Sequence, residues 1–391
     1  MVTKVWHVSA TGSLLRTLLC RACRTEVEPD APVGVCPTCG HTLFAQYAWD
    51  RLDGKRWWGD VRQRPPTLWK YRELLPVREE RSVVSLGESE GPLLRLSDGT
   101  DHPDLELWAK DDGGLPTGSF KARGMAVAVS RARELRIRRL FAPSAGNAGL
   151  ALAAYGARAR IPVTVYLPES VDPRVLEGLA RYGAHVVRFG ATIREAGAEA
   201  RRRESDRSFD LSTMREPYRV EGKKTMAFEI VERFGPSRMP DAIVYPTGGG
   251  TGLVGLWKGF EELRALGLLE RSPRLIAVQP TGAAPVVQAL REGTSSVSPW
   301  TATKTVAPGL AVPAPFASER VLEAVRATGG TGVTVPDEEI LAAQRTLAKR
   351  HGLSVSLEAA APWASVPELV RSGAVREGER VLLYHTGRGP S

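Results

Sequence analysis

Residues 116–124, Pro-Thr-Gly-Ser-Phe-Lys-Ala-Arg-Gly, place one lysine in a setting suited to covalent chemistry. Lys121 follows a turn-forming sequence and opens an apolar helical run, so we expect it at a junction between a loop and a helix. A lysine partly withdrawn from water has a lowered pKa, and its free amine can form a Schiff base. Lys121 is therefore the first candidate catalytic residue.

Two later segments, 143–149 (PSAGNAG) and 246–252 (PTGGGTG), each follow an apolar run and precede a helical pattern. The glycine segment lacks the spacing of nucleotide-triphosphate and dinucleotide loops. Its exposed backbone N–H groups and the dipole of the following helix can still bind a phosphate. Taken alone, this segment could be a packing turn, Asn147 could be a helix N-cap, and Thr386 could be an ordinary turn residue at a strand end.

The cysteines, Cys20, Cys23, Cys36 and Cys39, form two C-x-x-C pairs separated by twelve residues. Two such turns can arrange four thiolates tetrahedrally around one zinc ion. Disulfides are disfavoured in a reducing compartment, and redox chemistry would not need two pairs. The spacing predicts a structural zinc ribbon without catalysis, because four cysteine ligands leave no open position on the metal. The alternative is a ribbon that binds no metal, or a reduced surface hairpin.

The elements that must position these residues alternate between strand and helix from about residue 105. Short apolar runs, typical of strands, occupy 140–142, 163–167, 185–189, 243–245, 275–278 and 381–384. Helical patterns occupy 147–158, 172–182, 223–234, 251–266 and 337–351. This alternation predicts parallel sheets covered by helices. Ligands bind beyond the carboxyl ends of strands in such sheets, which is where the candidate segments fall.

The composition is that of a soluble globular protein, with 42% hydrophobic and 25% charged residues among 391. This length suggests two or three domains. No apolar run reaches the roughly 18 residues needed to span a bilayer, and the first residues do not form a signal peptide. We therefore expect a cytoplasmic protein without a membrane partner. The connection 50–82 is rich in Trp, Arg and Pro, and we expect Trp57 and Trp58 to cover the main body of the protein. The stretch 293–318, rich in Ser, Thr and Pro, is the loosest part of the chain.

The net charge of +9 raises the question of a nucleic-acid partner. The densest arginine clusters, Arg131 to Arg139 and Arg201 to Arg203, lie on predicted amphipathic helices, where we interpret them as a solvated face. No aromatic residues alternate with them, so we expect no nucleic-acid binding. A small anionic substrate fits the positive field equally well.

The lysine, asparagine and glycine segments, in this order, resemble pyridoxal-phosphate (PLP) enzymes of the tryptophan-synthase-β superfamily, fold type II. Residues 215–226 (REPYRVEGKKTM), the glycine loop with the following 255–258 (GLWK), and the cysteine ribbon resemble threonine synthase more closely. The resemblance covers most of the chain. It implies an α/β, two-domain fold type II enzyme with parallel-type sheets flanked by helices, and a homodimer. The implied organisation is a zinc-ribbon-like module over 1–50, a large PLP-binding domain over 51–124 and 236–391, and a smaller α/β domain over 125–235.

The resemblance also implies the roles of the candidate residues. Lys121 would hold PLP and act in catalysis, Phe120 would pack near the cofactor ring, Asn147 would contact its phenolic oxygen, and Thr386 would bind its pyridine nitrogen. The cofactor phosphate would be bound by Gly248, Gly249, Gly250, Thr251 and Gly252. The substrate carboxylate would be received by the turn made of Ser144, Ala145, Gly146 and Asn147. Candidate cations for the leaving phosphate are Arg219, Lys223 and Lys224. For the two lysines, the alternative is exposure at the start of a helix.

Threonine synthases convert O-phosphohomoserine and water to threonine and phosphate, and this activity is the leading expectation. The sequence departs from the family at Ala122, where many members have Asp, and at 357–361, where Leu-Glu-Ala-Ala-Ala replaces Pro-Glu-Gly-Ala-Ala. His385 replaces an asparagine, and it is either a second titrating group or a strand-end residue. The alternatives are a diverged PLP lyase or replacement enzyme, such as a threonine or serine dehydratase, and a non-catalytic binding protein.

Overall fold

The computed structural model describes residues 12–96, 104–204 and 208–388. The first eleven residues of the expected 1–50 module lie outside this part. Strands occupy β1 Leu15–Cys20, β2 Glu26–Val27, β3 Leu43–Tyr47, β4 Leu93–Arg95, β5 Glu106–Asp111, β6 Arg139–Pro143, β7 Val163–Leu167, β8 His185–Arg188, β9 Ser208–Asp210, β10 Ala242–Pro246, β11 Arg274–Pro280, β12 Gly332–Val335 and β13 Arg380–His385. Helices occupy α1 Gly54–Arg62, α2 Lys121–Glu134, α3 Asn147–Ala159, α4 Pro173–Arg181, α5 Ile193–Arg203, α6 Tyr218–Phe234, α7 Thr251–Ala265, α8 Pro285–Glu292, α9 Ser318–Ala327, α10 Asp337–His351, α11 Leu357–Ala364 and α12 Val366–Arg371. Among these described helices, none has the length and apolar character needed to cross a membrane.

Two sheets form the body of the protein. The larger has the order β12-β11-β10-β13-β5-β4, and its pairs are parallel except for the antiparallel edge strand β4. The smaller has the order β8-β7-β6-β9 and is parallel throughout. Helices alternate with these strands along the chain, as parallel pairing requires. The predicted α/β class is therefore confirmed. The strands of the small sheet come from 139–210, but the domain boundaries stay a prediction.

The N-terminal part forms a separate antiparallel sheet of order β2-β1-β3. It is followed by α1. The N-cap residue of this helix is Asp53, whose carboxylate accepts a hydrogen bond from the Arg56 N–H at 3.0 Å. Trp57 and Trp58 on this helix are buried, and the Trp57 ring meets Phe228 of α6 edge to face at 6.2 Å. The expectation that these tryptophans cover the main body is confirmed.

Helices α2 and α7 both pack closely against α6. A Cβ added to Gly222 of α6 would lie only 2.0 Å from the Arg123 carbonyl oxygen of α2. A side chain at this crossing would push the two helices apart, so glycine sets the distance between them. This distance matters because the candidate lysine lies on α2 and the candidate cations lie on α6.

A buried ion-pair network lies directly behind Lys121. Arg123 donates to both oxygens of Asp112 at 2.7 and 2.8 Å and to Glu229 at 2.8 Å. Lys110 pairs with Glu229 at 2.7 Å, and the Tyr384 hydroxyl donates to Asp112 at 2.7 Å. These residues belong to β5, to the turn that follows it, and to α2, α6 and β13. The network therefore fixes the start of α2 against the carboxyl ends of two neighbouring strands.

The arginine clusters differ in part from the expected solvated faces. Arg201, Arg202 and Arg203 are exposed on α5, as expected. Arg131 is fully buried, because its guanidinium donates to Asp30 at 2.6 Å and to the Pro29 carbonyl at 2.8 Å. The other members of its cluster, Arg133, Arg136, Arg138 and Arg139, are exposed, but α2 ends at Glu134, so only Arg133 is helical. For Arg131, the solvated interpretation is wrong.

Candidate active site

Lys121 is the first residue of α2. The turn before it includes Thr117 and Gly118 in the left-handed region, at φ +61° and +72°. Burial and the charge of Arg219 lower the pKa of Lys121 to about 8, while Glu358 opposes the shift. An amine with this pKa is partly unprotonated near neutral pH, as nucleophilic and proton-transfer chemistry require.

The Phe120 ring forms one wall beside two ammonium groups. The Lys121 Nζ lies 3.9 Å from the ring centroid, and the Lys223 Nζ lies 5.3 Å from it. The ring is held in place by Tyr245, which meets it edge to face with centroids 6.1 Å apart. Two lysines that are 102 positions apart in sequence therefore face the same small space.

Arg219 and Lys223 of α6 are buried, and with the half-buried Lys121 they form the cation group. The Arg219 Nη1 donates to the Leu211 carbonyl at 2.6 Å, but its Nε and the Lys223 Nζ have no hydrogen-bond partner among the described residues. Burial, with the charges of Arg219 and Lys121, holds the pKa of Lys223 well below its ordinary value. Helix α6 begins at Tyr218, so the alternative of an exposed helix start is wrong. Buried unpaired donors of this kind suit an anion.

The structure does not bring Lys224 to this group. Its ammonium pairs with Glu221 at 2.6 Å and with Glu262 at 2.7 Å, and it lies 4.0 Å from the centre of the Tyr47 ring. Lys258 joins the same cluster through Glu221 at 3.2 Å. The charge of Lys224 is therefore already balanced by carboxylates, on another face of α6 from Lys223.

The glycine loop ends at the start of α7 and leaves that helix end without a cap. Gly250, at φ +76°, is the N-cap residue, and no side chain accepts from the first N–H groups. The hydroxyl of Thr251 is buried with no hydrogen-bond partner among the described residues. A Cβ on Gly248 would lie 2.4 Å from the Gly309 carbonyl oxygen, and one on Gly249 would lie 2.7 Å from the Thr213 methyl carbon. Unpaired donors in a loop that admits no side chains form a binding place for a phosphate.

The Ser144–Asn147 turn connects β6 to α3. The Ser144 hydroxyl accepts from the Gly149 N–H at 2.8 Å, so it caps the helix from within the turn. Gly146 is the N-cap residue and Asn147 is the first helical residue, so Asn147 does not act as the N-cap. Ala145 is exposed, and α3 packs against α2 and the 116–118 turn. The helix that follows the turn therefore packs against the helix and the turn that carry Lys121.

These residues fit PLP. The glycine loop offers uncapped helix N–H groups and an orphaned hydroxyl to a phosphate, and Lys121 offers an amine of lowered pKa to an aldehyde. Residues 84–387 match the family of pyridoxal-phosphate-dependent enzymes. The chain is 32% identical over 372 residues to threonine synthase of Methanocaldococcus jannaschii, covering 95% of this chain and 91% of that protein. It is 35% identical over 375 residues to threonine synthase of Methanosarcina acetivorans, with the same shares covered.

The chain belongs to the threonine synthase family of PLP-dependent enzymes. Its fold is similar to that of maize serine racemase, with a TM-score of 0.68, 20% identity, and coverage of 77% of this chain and 88% of that one. The chain is therefore a PLP-dependent lyase with a fold type II architecture, not the non-catalytic binding protein considered above. Its expected homodimer stays a prediction.

Glu358, within the divergent 357–361 segment, is a part of this PLP enzyme's site that the sequence did not reveal. Its carboxylate accepts from the Gly309 N–H at 2.8 Å, and Gly309 packs against Gly248 of the phosphate loop. Its charge also acts on the Lys121 amine. Gly309 lies in the stretch 293–318, which the sequence marked only as loose. The available signal in the sequence was that Glu358 keeps the family's glutamate within a segment that otherwise departs from the family.

Glu216 is a second residue that sequence reasoning missed. It is fully buried before α6 and accepts from the backbone N–H groups of Tyr218 at 2.7 Å and Arg219 at 3.0 Å. Burial raises the pKa of Glu216 to about 7, while Arg219, these N–H groups and Lys223 act in the opposite direction. Its carboxylate caps the helix that carries Arg219 and Lys223. The signal in the sequence was an acidic residue just before a helix.

His385, where the sequence departs from the family, is the last residue of β13, and Thr386 follows it. Thr386 is nearly buried, and its carbonyl accepts from the Phe120 N–H at 2.9 Å, next to Lys121. His385 is fully buried, and neither ring nitrogen has a hydrogen-bond partner among the described residues. Burial, with a smaller effect of His351, lowers the pKa of His385 to about 4. His385 is thus a neutral strand-end residue at physiological pH.

The four cysteines come together at one end of the ribbon sheet. Their sulfur atoms all lie within 4.8 Å of one another. The sulfurs of Cys20 and Cys39 are 3.5 Å apart, and those of Cys39 and Cys23 are 3.3 Å apart. These separations resemble those of thiolates that share a tetrahedral ion at about 2.3 Å each. The donor set therefore fits one zinc ion.

The buried neutral His385 predicts a loss of stability in mild acid. The unfolded histidine titrates near 6.5 and the folded one near 4, so the unfolded state binds the proton first as the pH falls through this window. This group alone should remove about 1 kcal/mol from the free energy of unfolding between pH 7.5 and pH 5.5. His385→Leu should flatten the pH dependence by that amount in urea unfolding measured at both pH values. An unchanged slope in the variant would assign the acid sensitivity to other groups.

Proposed function

We propose that this enzyme is a threonine synthase, which converts O-phosphohomoserine and water to threonine and phosphate. The observation that carries the proposal is the group formed by Lys121, Arg219 and Lys223, in which the Arg219 Nε and the Lys223 Nζ are buried without a partner. The phosphate of a phosphorylated amino acid would supply the negatively charged acceptor that these donors lack. The threonine synthases of the two methanogens, similar over most of the chain, support the same substrate.

Two phosphate groups need to be distinguished in this proposal. The cofactor phosphate belongs in the glycine loop, where the start of α7 and the Thr251 hydroxyl supply donors. The substrate phosphate belongs next to Arg219 and Lys223, close to the Phe120 ring and Lys121. The substrate carboxylate belongs at the Ser144–Asn147 turn, Asn147 beside the phenolic oxygen of PLP, and the Thr386 hydroxyl at its pyridine nitrogen.

When bound, PLP withdraws electrons from the carbons next to the substrate amino group. The Lys121 amine takes the proton from Cα and passes it on to solvent, then takes a proton from Cβ and returns it to Cγ as phosphate leaves. Water adds its hydroxyl to Cβ, a proton returns to Cα, and the released phosphate keeps the remaining proton. One amine can serve these steps because they take place near one face of the substrate, and its pKa of about 8 suits both acceptance and release of a proton. Arg219 and Lys223 stabilise the charge that develops on the leaving phosphate.

We also propose that the four cysteines hold one structural zinc ion. Cys20 and Cys36 are buried and Cys23 and Cys39 are exposed, so the site lies at the edge of the ribbon with all four positions taken by sulfur. A closed set of this kind contributes to folding and leaves no position for a substrate.

Purified PLP-loaded protein should release threonine and phosphate in equal amounts from O-phosphohomoserine. Lys121→Ala should lower the rate by roughly 1000-fold or more, because the proton-transfer group is lost. Phosphate release and amino-acid analysis measure both. Normal visible absorbance of bound PLP without turnover would contradict the proposed substrate and favour a lyase acting on another amino acid.

Lys223→Met should raise KM for O-phosphohomoserine roughly tenfold to a hundredfold, because a charged hydrogen bond to the phosphate is lost. It should not lower the free energy of unfolding, since the ammonium has no partner to leave behind. The adjacent Lys224→Met is the matched control. It leaves Glu221 and Glu262 short of a cation and should cost about 3 kcal/mol in urea unfolding. Equal effects of the two variants on KM would remove Lys223 from the substrate site.

Protein purified without chelators should contain one zinc ion per chain, measured by mass spectrometry of the metals. Cys36→Ser should lose most of it, because three sulfur ligands hold zinc more weakly than four. PLP content, measured on the same samples, checks that the protein is folded. A zinc content near zero in folded wild-type protein would contradict the metal site.

A further inference from the structure

Residues 211–219, which we call the 211–219 segment, connect the ribbon to the active site. The segment runs from the end of the small sheet to the start of α6. One side of it contacts the ribbon, and the other contacts the phosphate loop and the cation group. No motif in the sequence connects these features, because the ribbon and this segment are more than 170 residues apart.

On the ribbon side, the contact centres on Thr42. Its hydroxyl donates to the Met214 carbonyl at 2.7 Å, and both residues are buried. Met214 has φ +62°, in the left-handed region that side-chain-bearing residues rarely adopt. Such a conformation persists only where the surroundings enforce it. The Thr42 hydroxyl is one group that does so.

A second contact places the ribbon backbone against the same turn. A Cβ on Gly34 would lie 2.7 Å from the Arg215 carbonyl oxygen, so the two backbones approach as closely as glycine allows. The Tyr218 hydroxyl points to the Pro29 carbonyl at 3.4 Å. The ribbon therefore covers the turn over several residues and not at a single point.

Thr42 is tied to the cysteine cluster through a short hairpin. Val35 and Thr42 form an antiparallel bridge. Within the hairpin, the Cys36 N–H donates to the His41 carbonyl at 2.8 Å, and the Gly40 N–H donates to the Cys36 carbonyl at 2.8 Å. A metal held by the four sulfurs fixes this hairpin, and with it the position of the Thr42 hydroxyl.

On the active-site side, two residues of the segment contact functional groups. Thr213, next to Met214, packs against Gly249 of the phosphate loop, because a Cβ on Gly249 would lie only 2.7 Å from the Thr213 methyl carbon. The Leu211 carbonyl accepts from the Arg219 guanidinium at 2.6 Å. A displacement of the Met214 turn would therefore move the wall of the phosphate loop and the partner of Arg219 together.

We propose that Thr42 is a positioning residue through which the zinc ribbon sets the geometry of the PLP phosphate loop and of the cation group. The ribbon acts from outside the site, by holding the left-handed Met214 turn. The effect on PLP follows from the family to which the chain belongs. The part played by zinc and the effect on substrate rest on the proposed function.

The test uses three variants of the full-length protein. Thr42→Val keeps the shape of the side chain and removes the hydroxyl, whereas Thr42→Ser keeps the hydroxyl. Thr17→Val is the matched control, because the Thr17 hydroxyl donates at 3.0 Å to the Val27 carbonyl, inside the ribbon. Zinc content, the Kd for PLP by absorbance titration, and kcat and KM for O-phosphohomoserine are measured for each.

Thr42→Val should keep its zinc, bind PLP about fivefold more weakly or worse, and show a similar rise in KM with kcat within about twofold. Thr42→Ser and Thr17→Val should remain close to the wild type. Wild-type PLP affinity in Thr42→Val would overturn the proposal, and so would an equal loss in Thr17→Val, since that would indicate a general weakening of the ribbon.

Removal of zinc from the wild-type protein is a second measurement that does not depend on the folding of a variant. Chelation should weaken PLP binding while circular dichroism shows that the helices persist. Unchanged PLP affinity in the zinc-free protein would overturn the proposal. Because PLP binding is measured without substrate, these results stand apart from the test of threonine synthase activity.

Discussion

The arrangement of the site depends on the burial of one guanidinium group. Arg123 lies two residues beyond Lys121, and its fully buried side chain binds Asp112 and Glu229 at once. A buried charge must be paired, and removal of one partner typically costs 3–5 kcal/mol, roughly. This requirement brings the end of β5, the start of α2 and the middle of α6 together, and the Tyr384 hydroxyl joins β13 to them. Lys121 thus projects from a junction that has little freedom to move.

The basic side chains around this junction differ in whether nearby carboxylates neutralise their charge. Those that are neutralised stabilise the fold, and the others are available to bind a ligand. Arg123 has two carboxylates, and Lys224 with Lys258 shares two more. Lys121, Arg219 and Lys223 have Glu216 nearby, but it caps a helix, and burial raises its pKa to about 7. The three basic groups are therefore not fully compensated by carboxylates, which suits the anionic groups of an amino-acid substrate. A protein with such a site is less stable without its ligand than with it, because the negative charge of the ligand compensates the free-energy cost of burying the basic groups.

The phosphate loop is shaped from outside its own sequence. Because Gly248 and Gly249 have no side chains, Gly309 packs closely against Gly248, and Thr213 packs closely against Gly249. Gly309 is held by Glu358, and Thr213 lies next to the turn that the ribbon covers. The 293–318 stretch, the 357–361 segment and the ribbon, which are far apart in the sequence, therefore all contribute to the surroundings of the phosphate loop. The close backbone approach explains why glycines occupy this loop.

The sequence by itself determined the features whose chemistry is local. Strand and helix alternation gave the α/β class, and the helix 337–351 was predicted with both ends correct. The turn before Lys121 and the two cysteine pairs are each built from a few neighbouring residues, so their types and spacing were sufficient to predict a buried lysine junction and a cluster of four sulfur atoms. Tertiary structure decided the rest. Lys223 and Lys224 are neighbours in sequence, but successive residues on a helix point about 100° apart. The packing of α6 therefore places Lys223 beside Phe120, and Lys224 beside Glu221 and Glu262. The burial of Arg131, the roles of Glu358 and Glu216, and the contact between Thr42 and Met214 depend on residues far apart in the chain, which only the folded structure brings within hydrogen-bond distance.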